Sequence, residues 1–178
     1  IVGIKPTLGL LSGSGVVPAC RTLDCVSIFA PCVGDAVTVR QVAEGFDDAD
    51  PFSRPAVPTS LPTRPRLGVL AGSEREFYGN GEVERLYDAA IAAAERSGAV
   101  IVPIDYAPFR AAAELLYGGP WVAERLAAIA EFFAGHQADM DATVAEIIGG
   151  GSRRTAVDAF TGMYRLAALR RATAATWK

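Results

Sequence analysis

Two residues in the second half of the chain have the types and spacing to hold a small anion. Tyr117 and Arg125 stand in the run LLYGGPWVAER, residues 115–125. The apolar rhythm Val122, Leu126, Ile129, Phe133 predicts one helix over 120–134. On it Arg125 falls on the flank of the stripe, not on the solvent face. A guanidinium placed there needs a partner. Tyr117 ends the preceding helical rhythm, in step with Phe109 and Ala113, and the break Gly118-Gly119-Pro120 lets the two side chains converge. A phenol hydroxyl and a guanidinium fork suit one small anionic ligand. The same spacing also suits an Arg125 that snorkels or pairs within the fold, and a Tyr117 that packs its ring and bonds a carbonyl.

The other chemically suggestive residues read as turns and packing. Ser12 and Ser14 lie in LSGSG, which lacks the G-x-S-x-G frame of a nucleophile elbow. Gly149-Gly150-Gly151-Ser152 lacks the Lys-Ser/Thr ending of a phosphate loop, and neither it nor Gly13/Gly15 completes a dinucleotide turn. Cys20, Cys25 and Cys32 form a C-x4-C-x6-C set with no zinc spacing, and are expected to be reduced thiols. His136, the single histidine, sits in the polar break AGHQAD as a helix-end or surface residue with no triad partner.

These residues are carried by an α/β arrangement. Val2–Lys5 is a strand candidate stopped by Pro6 and Gly9, and residues 12–18 are a loop. Asp35 precedes the helical rhythm Ala36, Val39, Val42, Ala43, Phe46. Residues 47–65 hold five prolines and form a surface connection. Residues 66–71, 82–97 and 99–104 then read as strand, helix and strand, a βαβ unit with parallel pairing, with Gly98 closing the helix. From residue 106 the chain is helical, and Thr155 with Asp158 is expected to open a long last helix to Trp177 as a capping box.

The bulk properties exclude several classes of function. The 178 residues fit one ordinary domain, and 51% are apolar, enough for a sizeable core. A net charge of −3 with no basic stripe disfavours nucleic acid. No apolar run is long enough to span a bilayer and no signal-peptide layout opens the chain, so a cytoplasmic protein is expected.

The opening 32 residues, IVGIKPTLGLLSGSGVVPACRTLDCVSIFAPC, resemble the segment that follows the nucleophile in amidase-signature hydrolases. The resemblance extends through DPFSRP at 50–55, DYAPF at 105–109, LLYGGPWVAER and YRLAALRRA. Its middle blocks are similar to the allophanate-hydrolase branch in particular. The fold it implies is a partial amidase-signature domain over residues 1–178, a mixed sheet flanked by helices with a helical second half. The activity it implies is cleavage of allophanate, or urea-1-carboxylate, toward ammonia and carbon dioxide in urea degradation. That reaction is acyl transfer through a seryl intermediate and uses no metal or organic cofactor. In that branch the matching Tyr and Arg bind substrate, which assigns Arg125 to its carboxylate and Tyr117 to its orientation.

The family's Ser, cis-Ser and Lys blocks are not found in residues 1–178, and Lys5 in the KPT block is not the catalytic lysine. No residue here is therefore assigned catalysis. The chain is expected to be a central portion of its parent enzyme and, when expressed alone, to aggregate or behave as a molten globule and to hydrolyse nothing. A urea carboxylase is the expected functional partner. Two alternatives stay open: another amidase-signature enzyme, such as the A-type subunit of a tRNA-dependent amidotransferase, and a non-catalytic assembly module that dimerises through the helix after Thr155.

Overall fold

The computed structural model describes residues 1–60 and 62–178; Leu61, within the Pro-rich connection, lies outside the described residues. In chain order the elements are β1 (Val2–Ile4), β2 (Ile28–Ala30), α1 (Val33–Ala43), β3 (Arg66–Leu70), α2 (Gly81–Arg96), β4 (Val100–Ile104), α3 (Ala107–Gly118), α4 (Trp121–Ala128), α5 (Ala130–His136), α6 (Ala142–Gly149) and α7 (Ala156–Thr173). Short 3-10 turns link several of them. The mixed α/β class expected from the sequence is what the chain adopts. Its described strands pair two by two.

The chain divides into two compact units, one of residues 1–58 and 120–159, the other of 59–119 and 160–178. In the first, β1 and β2 pair antiparallel, with Val2 opposite Ala30 and Ile4 opposite Ile28. Their inward side chains join Leu11 and the fully buried Ala36 of α1 in a small core, flanked by Leu10. Burying Ile28 contributes roughly 2 kcal/mol. The outward residue of β2, Phe29, lies across Gly3 of the partner strand: a Cβ on Gly3 would stand 3.1 Å from its ring. The sequence does not predict β2. Three residues ending before Pro31 are too few to show alternation, and only pairing with β1 makes them a strand.

Helix α1 begins two residues before Asp35, so Asp35 lies in its first turn, where a carboxylate suits the helix dipole. The single helix expected over 120–134 is instead two. Ile129 leaves helical geometry (φ −127°, ψ 22°) and separates α4 from α5. The residue there is neither Pro nor Gly, and the apolar rhythm runs through it without interruption. Pro120 occupies the N-cap of α4, one place before its first turn.

The second unit holds β3 and β4, parallel and in register from Arg66 with Val100 to Leu70 with Ile104. Between them, Asn80 caps α2 by accepting from the amides of Glu82 and Val83, at 3.1 Å each. Gly98, at φ +96°, ends it: the Gly98 amide donates to the Glu95 carbonyl at 2.9 Å and the Ala99 amide to the Ala94 carbonyl at 3.1 Å. This is the paired Schellman closure that a glycine in left-handed geometry permits. The Leu70 amide at the end of β3 donates to the Tyr87 hydroxyl of α2 at 3.2 Å. Arg75 ties the same corner together through the Leu70 carbonyl and the Asp88 carboxylate.

Candidate substrate-binding site

Arg125 lies on the last turn of α4 and is half-buried. That helix has eight residues and opens without a side-chain cap. So short a helix is not stable by itself, and its seat decides where Arg125 points. The seat has three parts, all within the first unit. Trp121 and Val122 turn inward and are buried. Gly151 brings the 150–153 turn against the helix backbone: a Cβ there would stand 2.5 Å from the Val122 carbonyl oxygen and 2.9 Å from Ala123 Cα. Only glycine allows that approach.

The third part is the turn at residues 19–24. The Thr22 amide and hydroxyl donate to the two carboxylate oxygens of Glu124 at 2.7 and 2.8 Å. The Cys20 thiol reaches the Trp121 carbonyl at 3.6 Å. Asp24 holds the turn by accepting from the Ala19 and Cys20 amides at 2.9 and 3.0 Å. Cys20 is 2% exposed. Burial pushes its thiol pKa up, against the opposing hydrogen bond and charge of Arg125. The thiol therefore stays protonated at neutral pH and packs beside the guanidinium.

Tyr117 lies on the last turn of α3 in the second unit and is 59% exposed. Gly119 ends that helix, its amide donating to the Leu115 carbonyl at 3.0 Å. A Cβ on Gly119 would stand 2.4 Å from the same oxygen, so the helix can close this way only at a glycine.

The remaining candidates take structural places. Ser12 and Ser14 donate their hydroxyls to Asp47 at 2.5 and 3.0 Å. Those bonds, with the Ala49 amide, hold the Asp47 carboxyl below its ordinary pKa. Cys25 donates to the Pro6 carbonyl at 3.2 Å, and Cys20, Cys25 and Cys32 are all free thiols. His136 ends α5, pairs with Asp139 at 3.0 Å and stacks on Phe132. Gly149 lies under the Phe133 ring. Among the described residues no cluster of His, Cys, Asp or Glu has metal-binding geometry, and no helix is long and apolar enough to cross a membrane. A cleft of about 290 Å³ opens beside Val16, Val17, Ala49 and Phe52, and neither Tyr117 nor Arg125 lines it.

Sequence reasoning missed Thr22, Asp24 and Glu124. Thr22 and Glu124 are separated by 102 positions, and no local periodicity links them.

The ACRTLD and PWVAER blocks thus meet in one unit of the fold. Residues 1–172 match the amidase family, and the chain belongs to that family. More particularly, it is 41% identical over 169 residues to the urea amidolyase of Lachancea kluyveri, covering 93% of this chain and 9% of that protein. Its structure resembles the selenomethionine-substituted allophanate hydrolase of Kluyveromyces lactis, with a TM-score of 0.88 and 36% identity, over 95% of this chain and 28% of that one. The A-type subunit of the mitochondrial glutamyl-tRNA(Gln) amidotransferase of Xenopus tropicalis is 30% identical over 149 residues, 79% of this chain and 28% of that protein.

Proposed function

We propose that this chain is part of an enzyme that cleaves allophanate in urea degradation, and that residues 1–178 form one partial amidase domain whose task is substrate recognition. Arg125 receives the substrate carboxylate in a two-pronged contact, and Tyr117 hydrogen-bonds and orients the ligand. The observation that carries this reading is the combined likeness to a urea amidolyase and an allophanate hydrolase over more than nine-tenths of the chain. The seat of α4 supports it by giving Arg125 a defined position. Acyl transfer itself is assigned to residues outside this chain. An enzyme that carboxylates urea supplies the substrate, and both work in the cytoplasm.

The amidotransferase reading has weaker support, at 30% identity against 41%. It also gives no task to a carboxylate-binding arginine.

Replacing Arg125 tests the reading in the intact enzyme. Hydrogen bonds to a charged group contribute about 1.5–3 kcal/mol, so Arg125→Ala should raise the allophanate KM by about 10- to 100-fold. Tyr117→Phe removes one neutral hydrogen bond and should raise it by roughly fivefold. An unchanged KM in Arg125→Ala removes the carboxylate contact, and with it the preference for allophanate over other amides.

A further inference from the structure

We infer that Thr22 and Glu124 are positioning residues for Arg125, a clamp that fixes the rotation of α4 and so aims the guanidinium at the substrate carboxylate. The inference rests on the substrate-binding reading of Arg125 above. It starts from the weakness of α4 as an isolated element: eight residues and an uncapped start. Buried Trp121 and Val122 and the close approach of Gly151 hold the helix down on one side. Apolar burial is non-directional and tolerates a roll of the helix about its axis.

The Glu124 carboxylate removes that freedom. It is gripped by two donors of one residue, an amide and a hydroxyl, at 2.7 and 2.8 Å. Two parallel charge-assisted bonds fix direction as well as distance. Glu124 is the neighbour of Arg125 in sequence, so a few degrees of roll permitted at Glu124 become a displacement at the end of a long arginine side chain. The donors stand on a turn held by its own hydrogen bonds. Asp24 accepts from the Ala19 and Cys20 amides, and the Cys20 carbonyl accepts from the Leu23 and Asp24 amides at 2.8 and 2.7 Å. Cys20 completes the seat with its contact to the Trp121 carbonyl. The ACRTLD turn, which carries no reacting group, thus acts on the reaction through Arg125.

A double-mutant cycle on the allophanate KM of the intact enzyme tests this, with thermal melting to verify that each variant is folded. Residues linked through one network couple strongly, and Thr22→Val should raise KM by about fivefold in the wild-type background and add little in the Arg125→Ala background. Thr22→Ser, which keeps the hydroxyl donor, should stay within about twofold of wild type. Glu124→Leu, which removes both acceptors facing Thr22, should behave like Thr22→Val. If Arg125→Ala raises KM while Thr22→Val and Glu124→Leu leave it unchanged, the clamp is overturned and the carboxylate reading stands. Equal effects of Thr22→Val in both backgrounds also overturn it, because the effect would not pass through Arg125. If Arg125→Ala itself changes nothing, the carboxylate reading fails and the clamp fails with it.

Discussion

Gly9 shows how one atom can set a local structure. Its φ of +82° is left-handed, and a Cβ there would stand 2.3 Å from the Phe52 carbonyl oxygen and 2.9 Å from the Arg54 side chain. The approach exists because the Arg54 amide donates to the Gly9 carbonyl at 2.9 Å, stapling the 50–54 segment to the opening loop. A side chain at this position meets both the left-handed penalty, about 1–2 kcal/mol, and a backbone clash. Gly9→Ala should therefore destabilise the enzyme by more than about 2 kcal/mol, read as a lower urea midpoint at unchanged slope. Gly15→Ala is the control: φ is +78° there, but nothing lies within 4 Å, so only the backbone penalty applies and the loss should be smaller. Equal losses at the two sites would show that the contact with Phe52 is immaterial.

At the scale of the element, the first turn of α7 is held by a reciprocal cap. The Thr155 amide and hydroxyl donate to the Asp158 carboxylate at 2.8 and 2.9 Å, while the Asp158 amide donates to the Thr155 hydroxyl at 3.1 Å. The bond from the Thr155 amide, then that from its hydroxyl, holds the Asp158 carboxyl below its ordinary value, with a lesser contribution from the charge of Arg154. A carboxyl whose pKa is depressed by folding stabilises the folded state above its unfolded value, about 4. That contribution fades as pH falls through the depressed value. Asp158→Asn should accordingly melt below wild type at about pH 6, and the gap should close toward about pH 3. A gap of constant size across that range would mean that the charge of Asp158 plays no part in the cap.

At the scale of the whole molecule, the distribution of apolar surface carries the prediction. Val157, Phe160, Met163 and Tyr164 of α7 are all exposed. So are Val83 and Leu86 of α2, a helix with no buried residue, and the β3 pattern is exposed at three of five positions. An apolar stripe at helical spacing left in water, as along α7, marks a surface made for burial. The 178-residue chain expressed by itself should bind 8-anilinonaphthalene-1-sulfonate and self-associate. It should show no amide hydrolysis. A monodisperse sample with one sharp thermal transition and no dye binding would refute the expectation.

The sequence by itself determined whatever is settled within a few residues. Gly98 and the Thr155–Asp158 pair announced the ends of their helices because a cap is a bond between near neighbours. The strands at 66–70 and 100–104 were legible as apolar runs separated by one strongly periodic helix. The family, too, was legible in short blocks such as GVVPACRTLDC and LLYGGPWVAER. Only the tertiary structure decided that Ile28–Ala30 is a strand, since three residues become one through their bonds to β1. It alone decided the break at Ile129, where the apolar rhythm gives no sign of a stop. The seat of Arg125 was out of reach for the same reason: Thr22 and Glu124 meet across 102 positions, and spacing along a chain encodes nothing about which distant donor will face which carboxylate. That meeting depends on how buried Trp121, Val122 and Cys20 pack together, a choice made by the folded unit as a whole.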